Sequence, residues 1–317
     1  MSSTAGRKIL LIANPNAGRG GRGRGGRVAR FCELLAGLGV ETEVAFTAGP
    51  REATRLAREG AASGFRDIVV SGGDGTINEA LQGTVGTRAR LGIWPAGTSN
   101  VVARELALPF DAEGAARCVA EGAARRVFAG RAVAEETGEG RYFLLMAGVG
   151  LDASIVERVR PALKRRVGEA AFWVSGLSHL ARWEPRPFEI EVDGRTHAAT
   201  FAAVGKAAHY GGELGITPRA RLDAPEFEIC VVNSASRLRY LRLLSHALRR
   251  EGVPAKTAGV SFLRATRARA VGDAAVQVDG ELIGRLPMTF EIVPDAIEII
   301  APRPKADGKR IGYQNLR

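Results

Sequence analysis

The stretch from Ile68 to Asn78 reads I-V-V-S-G-G-D-G-T-I-N. Its first three apolar residues predict a short buried strand, and the segment that begins near Ile77 has the pattern of a helix. The glycines between them allow backbone N–H groups to approach an anion closely. The start of the following helix adds a favourable potential for phosphate. A strand, a glycine loop and a helix in this order predict a phosphate-binding turn.

Asp74 lies inside this glycine loop. Its negative charge would repel a bound phosphate unless a cation stood between them, so we expect Asp74 to help bind Mg²⁺. The alternative is an ordinary turn in which the Asp74 carboxylate caps the next helix. A G-x-x-x-x-G-K-[ST] motif does not occur in the chain, which excludes a Walker-type phosphate loop.

Two further polar segments follow apolar runs of the chain. Asn14-Pro15-Asn16-Ala17-Gly18 follows the first run, and Pro95-Ala96-Gly97-Thr98-Ser99-Asn100 follows the fourth. Either segment alone can be ordinary turn chemistry. Open α/β sheets bind ligands at the carboxyl ends of their strands, so we expect these segments and the glycine loop to line one crevice.

The first third of the chain alternates short apolar runs with helical segments. The predicted strands are residues 8–13, 40–46, 67–71 and 91–94. The predicted helices are residues 28–38, 51–63, 101–106 and 111–121. The runs are continuously apolar, as in strands that are covered on both faces. We therefore predict a three-layer α/β domain with a parallel sheet over residues 1–124.

The rest of the chain, residues 125–317, has a β-rich pattern. The predicted strands are residues 126–134, 142–147, 188–192, 200–204, 227–232, 276–278 and 288–293. Asp193-Gly194 and Asp279-Gly280 are hairpin signals, so a second, mainly antiparallel domain is expected. A closing run at residues 296–300 is compatible with a return to either domain.

Composition restricts the class of protein. The chain has 317 residues, 45 Lys and Arg against 34 Asp and Glu, and a formal net charge of +11. A positive surface suits nucleic acid, anionic lipid or a phosphorylated substrate and does not choose among them. The longest stretch without a charged residue, residues 91–103, is shorter than the roughly 18 to 20 residues of a membrane span. Without a signal-peptide pattern, we expect a cytoplasmic protein with reduced cysteines.

Three segments are rich in basic residues. Residues 18–27 alternate Gly and Arg, and we expect a mobile loop rather than a helix. Residues 158–166 contain three adjacent basic residues. Residues 237–250 place four leucines at helical spacing among arginines. Such a helix can lie on an anionic membrane or pack on its own domain, and the pattern leaves both readings open.

With these residues in view, the sequence resembles the diacylglycerol kinase catalytic family. This family includes bacterial lipid kinases and the sphingosine and ceramide kinases, and it is distantly similar to NAD kinases. The resemblance is carried by Asn14-Pro15 with Gly18, the segment from Gly72 to Glu79, Gly97-Thr98-Ser99-Asn100, Gly150-Leu151-Asp152-Ala153 and Asp279-Gly280-Glu281. The motifs occur in the order and spacing of the family, and they span nearly the whole chain.

The resemblance implies a parallel α/β N-terminal domain, a mainly antiparallel β-sandwich C-terminal domain, and a nucleotide in the cleft between them. The implied ATP contacts are Asn14, Thr47, Gly72, Gly73, Asp74, Gly75, Thr76, Ile77, Asn78, Gly97, Thr98 and Asn100. Asp74 would join the Mg²⁺ network, supported by Asp152. Asp279 would be the general base for a lipid hydroxyl, with Glu281 beside it.

Simpler readings exist for both distant carboxylates. Val192-Asp193-Gly194 and Val278-Asp279-Gly280 are equally good hairpin turns, but only the second continues into a carboxylate, Glu281, and matches the family motif. Asp152 follows Gly150 and can also be read as the cap of a helix.

The chain departs from the family pattern at two places. Val101 stands where many members carry an acidic residue. Residues 222–226 read L-D-A-P-E, where many members carry a D-D-G segment that binds a second, structural metal. We therefore do not expect a structural Mg²⁺ at residues 222–226.

These observations predict an ATP- and Mg²⁺-dependent lipid kinase at the inner membrane surface, with diacylglycerol as the default acceptor. Its basic segments would attract anionic lipid, and a homodimer stays open. The alternatives are a ceramide or sphingosine kinase, a NAD kinase, and an RNA-binding protein that uses the Gly/Arg segment. A membrane-docking module without catalysis is disfavoured by Asp74, Asp279 and Glu281. We expect no nucleic acid partner, because the Gly/Arg segment directly follows the Asn14-Pro15 motif.

Overall fold

The computed structural model describes residues 7–18, 24–158, 183–249 and 251–303. These residues form two compact units. The first unit extends to Val127 and resumes at Asp295, and the second unit is Phe128–Pro294. All three basic segments therefore lie partly outside the described residues, at positions 19–23, 159–166 and 250.

The helices and strands follow one another in chain order. Up to the middle of the chain they are β1 (Arg7–Ala13), α1 (Arg24–Gly37), β2 (Val40–Phe46), α2 (Glu52–Ala62), β3 (Asp67–Gly72), α3 (Asp74–Thr84), β4 (Arg90–Pro95), α4 (Val101–Glu105), α5 (Ala112–Glu121), β5 (Ala123–Ala134), β6 (Gly140–Phe143), β7 (Met146–Gly150) and α6 (Leu151–Arg158). The later elements are β8 (Phe188–Val192), β9 (Arg195–Ala199), β10 (Phe201–Gly205), β11 (Phe227–Val232), α7 (Arg237–Ala247), β12 (Val260–Ala265), β13 (Arg267–Gly272), β14 (Ala275–Val278), β15 (Glu281–Arg285) and β16 (Met288–Ala301).

The first unit is built on a parallel sheet. Its strand order is β2-β1-β3-β4-β16, and every neighbouring pair is parallel. The six residues of β3 are all buried, as expected for a strand covered on both faces. On one side of the sheet, Phe31 of α1 stacks on Trp94 of β4 with ring centroids 4.1 Å apart. The predicted α/β class with a parallel core is confirmed.

The second unit contains two sets of antiparallel strands. One sheet has the order β12-β11-β10-β7-β14-β15, and a second set of strands runs β16-β13-β8-β9. Val149 and Val276 from the first sheet share one apolar core with Ile190 and Phe290 from the second set. This arrangement confirms the predicted antiparallel, sandwich-like domain.

Strands β9, β12, β13 and β15 are not among the predicted strands, and three further details differ from the sequence prediction. The predicted strand at residues 142–147 is divided, because the N–H groups of Leu144 and Leu145 bind the Asp279 side chain instead of a neighbouring strand. The predictions at residues 288–293 and 296–300 are one strand, β16, whose end returns to the first unit beside β4.

The third difference is the start of α1. The Gly/Arg segment was predicted not to be helical, yet its residues from Arg24 onward form the first turn of α1. Gly25 and Gly26 in this turn are exposed. Fixing two glycines costs about 1 kcal/mol each, which burial of Phe31 and Leu35 further along the helix offsets.

None of the helices in the described ranges is long and apolar enough to cross a membrane.

Candidate active site

Three loops meet at the carboxyl edge of the parallel sheet in the first unit. The loop after β1 is fastened to the glycine loop, because the Asn14 backbone N–H donates to the Ser71 carbonyl at 2.9 Å. The Asn14 side-chain Nδ2 also donates to the Thr76 hydroxyl at 2.9 Å. Asn14 therefore holds the glycine loop from two sides.

The loops approach so closely that side chains would not fit between them. A Cβ atom on Gly97 would lie 2.5 Å from the Cα of Gly73. Gly18 has φ +84°, and a Cβ there would lie 2.7 Å from the Ala96 carbonyl oxygen. Asn100 adopts a left-handed conformation with φ 47°, and its side chain binds both the N–H and the carbonyl of Gly97 at 2.9 Å. These contacts explain the glycines at positions 18 and 97.

Asp74 is the first residue of α3 and joins two of these loops. Its Oδ2 accepts the N–H of Val101, and its Oδ1 accepts the N–H of Val102, both at 3.0 Å. The carboxylate thus caps α4 rather than its own helix. Burial raises the pKa of Asp74, while these N–H groups and Arg104 act in the opposite direction.

Asp74 can bind Mg²⁺ only if a nucleotide supplies further ligands. A carboxylate has about four accepting positions, so the backbone hydrogen bonds leave capacity for a metal ion. Within the described residues there is no cluster of three or more His, Cys, Asp or Glu that could hold a metal ion. Protein sites for Mg²⁺ often supply one or two carboxylates and take the other ligands from phosphates and water. Asp74 beside a glycine loop matches that pattern.

The other predicted nucleotide residues differ in exposure. Gly75 and Thr98 are exposed at the loops. Thr47 is buried after β2, where its N–H donates to the Ala13 carbonyl at 3.0 Å. Ile77 and Asn78 are buried inside α3. The loop backbone and Thr98 are therefore accessible to a ligand, and the buried residues lie beneath them.

A small cavity opens beside these loops. It is lined by Ala13, Asn14, Pro15, Ala17, Arg27, Val28, Phe46, Ser71, Trp94 and Ala96. Phe46 is 52% exposed at the end of β2, and the Arg27 guanidinium lies 5.7 Å from the Trp94 ring centroid. The sequence analysis missed both residues. An apolar residue directly before Thr47 was the available signal for Phe46.

In the second unit, the Asp279 carboxylate accepts three backbone hydrogen bonds. Its Oδ1 accepts the N–H groups of Leu145 and Met146 at 3.0 Å, and its Oδ2 accepts the N–H of Leu144 at 2.9 Å. The Asp279 N–H donates to the Met146 carbonyl at 3.0 Å. Asp279 and Gly280 both have positive φ, 47° and 85°, so the turn itself holds the carboxylate over residues 144–146.

A buried glutamine connects Asp152 to the same turn. The Gln277 Nε2 donates to Asp152 Oδ2, and its Oε1 accepts the Gly280 N–H at 2.7 Å. A Cβ on Gly148 would lie 2.2 Å from Asp152 Oδ2, so only glycine fits beneath this pair. Burial raises the pKa of Asp152 to about 7, and the Gln277 hydrogen bond acts against this.

Tyr210 and Arg141 complete the surroundings of the turn. Tyr210 is buried, and its pKa is raised well above the ordinary value by burial and by the charges of Asp152 and Asp279. Glu281 is exposed and forms an ion pair with Arg141. The structure therefore brings Asp152, Asp279 and Tyr210 close enough to interact electrostatically.

Comparison with known families identifies both parts of the chain. Residues 8–132 match the diacylglycerol kinase catalytic domain, and residues 146–301 match the YegS C-terminal NAD kinase beta sandwich-like domain. The chain belongs to the diacylglycerol kinase catalytic domain family. It is therefore a lipid kinase.

Relatives of the family are similar over nearly the full length. A diacylglycerol kinase of Bacillus subtilis is 29% identical over 95% of this chain and 98% of its own length. A diacylglycerol kinase of Mycobacterium tuberculosis is 29% identical over 93% of this chain and 96% of its own. A YegS-like lipid kinase of Chromohalobacter salexigens is 29% identical over 80% of this chain and 82% of its own.

The fold is shared with a crystal structure of a diacylglycerol kinase from Bacillus anthracis. The TM-score is 0.73 at 22% identity, over 95% of this chain and 99% of the other.

Two residues near Asp279 in the present chain, Gln277 and Tyr210, were missed by the sequence analysis. A polar residue two positions before the Asp279 turn was the available signal for Gln277, and nothing in the sequence pattern indicated Tyr210.

Proposed function

We propose that this lipid kinase transfers the γ-phosphoryl group of Mg·ATP to the hydroxyl of diacylglycerol, giving phosphatidic acid. The observation that carries the proposal is the set of three close-packed loops around Asp74, which offers backbone N–H groups and one carboxylate to a nucleotide. Relatives named diacylglycerol kinase over more than nine-tenths of the chain support this acceptor.

The transfer needs a base and a positioned phosphate more than covalent chemistry. In the proposed reaction Asp279 takes the proton of the lipid hydroxyl. The hydroxyl oxygen then forms a bond to the γ-phosphorus, and the bond from that phosphorus to the departing ADP oxygen breaks. Three N–H donors keep the Asp279 carboxylate in one orientation. Glu281 would add negative charge beside it.

The nucleotide would bind in the first unit. The loops at Asn14, Gly72 to Asn78 and Gly97 to Asn100 would contact ATP, with Thr47 behind them. Asp74 would help to hold Mg²⁺ in the first unit. When bound, Mg²⁺ would neutralise phosphate charge. We accordingly assign nucleotide binding to residues 1–124 and lipid binding to residues 125–317.

Helix α7 supports attachment to an anionic membrane surface at the cytoplasmic face. It packs on its own unit through Tyr240, Leu243 and Ala247, which are buried. Leu238 is 76% and Leu248 is 54% exposed, on faces that the packing does not use. The arginines on the exposed part of the helix and just after it are Arg237, Arg239, Arg242 and Arg249.

Exposed leucines among arginines combine the two attractions that hold a peripheral helix on a membrane. Each suitably placed arginine would contribute about 1 kcal/mol on an anionic surface. We propose that α7 binds the lipid surface that carries the acceptor.

An acceptor panel tests the proposed function. Labelled γ-phosphate from Mg·ATP is offered to micellar diacylglycerol, ceramide, sphingosine and phosphatidylglycerol, with NAD alongside. We expect label in diacylglycerol. Label only in ceramide or sphingosine would mean that this lipid, and not diacylglycerol, is the acceptor. Label only in NAD would contradict the proposal.

Two aspartates provide matched variants for this assay. Asp74→Ala should reduce turnover by about 10²-fold or more. The variant loses the carboxylate that joins two of the nucleotide loops and that would bind Mg²⁺. Asp111 also caps a helix, α5, by accepting the Gly114 N–H at 2.7 Å. Asp111→Ala should lose only a cap, about 1 kcal/mol of stability, and keep its turnover. Equal turnover in both variants would remove Asp74 from the mechanism.

Vesicle sedimentation tests the membrane proposal. Leu241 of α7 is also exposed, at 41%. The double variant Leu238→Ser/Leu241→Ser should bind phosphatidylglycerol vesicles at least about fivefold more weakly than the wild type. Leu38 is 38% exposed in the first unit, so Leu38→Ser is the control and should bind normally. Added salt should weaken wild-type binding. Unchanged binding of the double variant would exclude α7 as the contact.

A further inference from the structure

Lys206 is a buried cation with no part in the proposed transfer. It directly follows β10 in the second unit and is 0% exposed. Its Nζ donates to the carbonyl oxygens of Arg221 at 2.5 Å and Ala224 at 2.6 Å, and to that of Glu226 at 3.5 Å. The three donors of one ammonium thus face three carbonyls of one loop.

The loop at residues 221–226 is shaped around this charge. Burial lowers the pKa of Lys206 to about 8, whereas the charges of Asp223 and Glu226 act in the opposite direction. The side chain is therefore mostly charged at neutral pH. Asp223 is held in turn by the Arg221 guanidinium, with both contacts at 2.9 Å. Carbonyl and carboxylate oxygens around a buried positive charge are the environment that proteins give to hard metal cations.

The same loop departs from the D-D-G pattern of the resembling family, since it reads L-D-A-P-E at residues 222–226. One carboxylate and the glycine are missing, and an ammonium occupies the centre of the carbonyls. These residues do not fit a structural metal ion. We propose that the Lys206 ammonium is a tethered cation that takes the place of a bound metal and orders the loop at residues 221–226.

The backbone of Lys206 also contacts residues 144–146, whose N–H groups bind the Asp279 carboxylate. The backbone N–H groups of Lys206 and Ala207 donate to the Leu145 carbonyl at 2.8 and 3.0 Å. Leu145 in turn donates its own N–H to Asp279. Ordering the loop therefore supports the chain segment that holds Asp279. The proposal does not depend on the proposed acceptor, and its tests use protein without nucleotide or lipid.

Hydrogen exchange measures the order of the loop directly. Lys206→Met keeps an unbranched side chain, one atom shorter than lysine, but removes the charge and all three donors. Amides of residues 221–226 should then exchange about tenfold faster or more, because the carbonyls lose their partners. Lys256 is exposed, so Lys256→Met should exchange like the wild type. Equal exchange in the two variants would overturn the proposal.

Chemical rescue separates charge from volume. In Lys206→Ala the missing atoms are three carbons and the ammonium, which n-propylammonium reproduces. This ion should slow the loop exchange of Lys206→Ala and leave the wild type unchanged. The matched neutral molecule, 1-propanol, should not rescue. Equal rescue by propanol would mean that the side chain only fills space and would overturn the proposal.

A measurement on the wild type alone decides the case if these variants do not fold. Exchange at residues 221–226 should be the same in EDTA and in excess Mg²⁺, which supports a loop held by its own lysine. Faster exchange in EDTA would show that a bound metal holds the loop and would overturn the proposal.

Discussion

Two hairpins of the second unit have the same turn sequence and different surroundings. Val192-Asp193-Gly194 joins β8 to β9, and Val278-Asp279-Gly280 joins β14 to β15. Their backbones agree, with φ of 50° and 72° in the first and 47° and 85° in the second. Asp193 is exposed, whereas Asp279 accepts three N–H groups from residues 144–146. The turn sequence therefore sets the backbone, and the segment opposite sets the role of the aspartate.

The largest difference between the hairpins should follow from removing the charge of each aspartate. Asp279→Asn should lower turnover by about 10²-fold or more, because the amide is no base and its Nδ2 cannot accept an N–H group. Asp193→Asn should keep wild-type turnover. Kinase assays with measured ATP affinity test this. Full activity of Asp279→Asn would remove Asp279 from the mechanism.

The next largest effect should come from the residue two positions before each turn aspartate. Gln277→Leu leaves Asp152 and the Gly280 N–H without their partner, so turnover should fall about tenfold. Glu191 occupies the corresponding position before Asp193 and is exposed. Glu191→Leu should leave turnover unchanged. If both variants have wild-type turnover, the connection through Gln277 has no role in activity.

Glu281 sharpens the comparison because the other hairpin has Arg195 at the same place. Glu281→Gln should lower turnover about fivefold if its charge acts beside Asp279. Its ion pair with Arg141 is solvent-accessible, so the free energy of unfolding should change by less than about 1 kcal/mol. Urea unfolding and kinase assays measure the two quantities. Unchanged turnover would mean that Glu281 forms the ion pair but has no role in the transfer.

The smallest effect should be the one that both hairpins share. Gly194 and Gly280 have φ of 72° and 85°, where alanine is strained. Gly194→Ala and Gly280→Ala should each lose about 1 kcal/mol of unfolding free energy. Only Gly280→Ala should also lower turnover, because it moves the Asp279 carboxylate. Equal turnover of the two variants would argue against a positioned base.

Local sequence signals were sufficient for the first four strands of the parallel sheet, the glycine loops and the two hairpin turns, but β12 and β13 of the second unit were not predicted. They could not show that Asp74 caps a helix that begins 27 residues later, at Val101. The same limit hid the donors at residues 144–146, which lie more than 130 positions from Asp279. Lys206 has no sequence signal at all, since its role depends on where three distant carbonyls lie. Long-range backbone partners are thus what the sequence leaves out.

Strand β16 has a consequence for how the protein is made. The sheet of the first unit is completed by residues near the end of the chain, where Glu298 and Ile299 pair with Arg90 and Leu91 of β4. During synthesis, the whole second unit leaves the ribosome before these residues do. The nascent first unit thus carries an open β4 edge for most of translation, and such an edge invites pairing with other chains. The sheet of the first unit is therefore begun first during synthesis and completed last, when β16 pairs with β4.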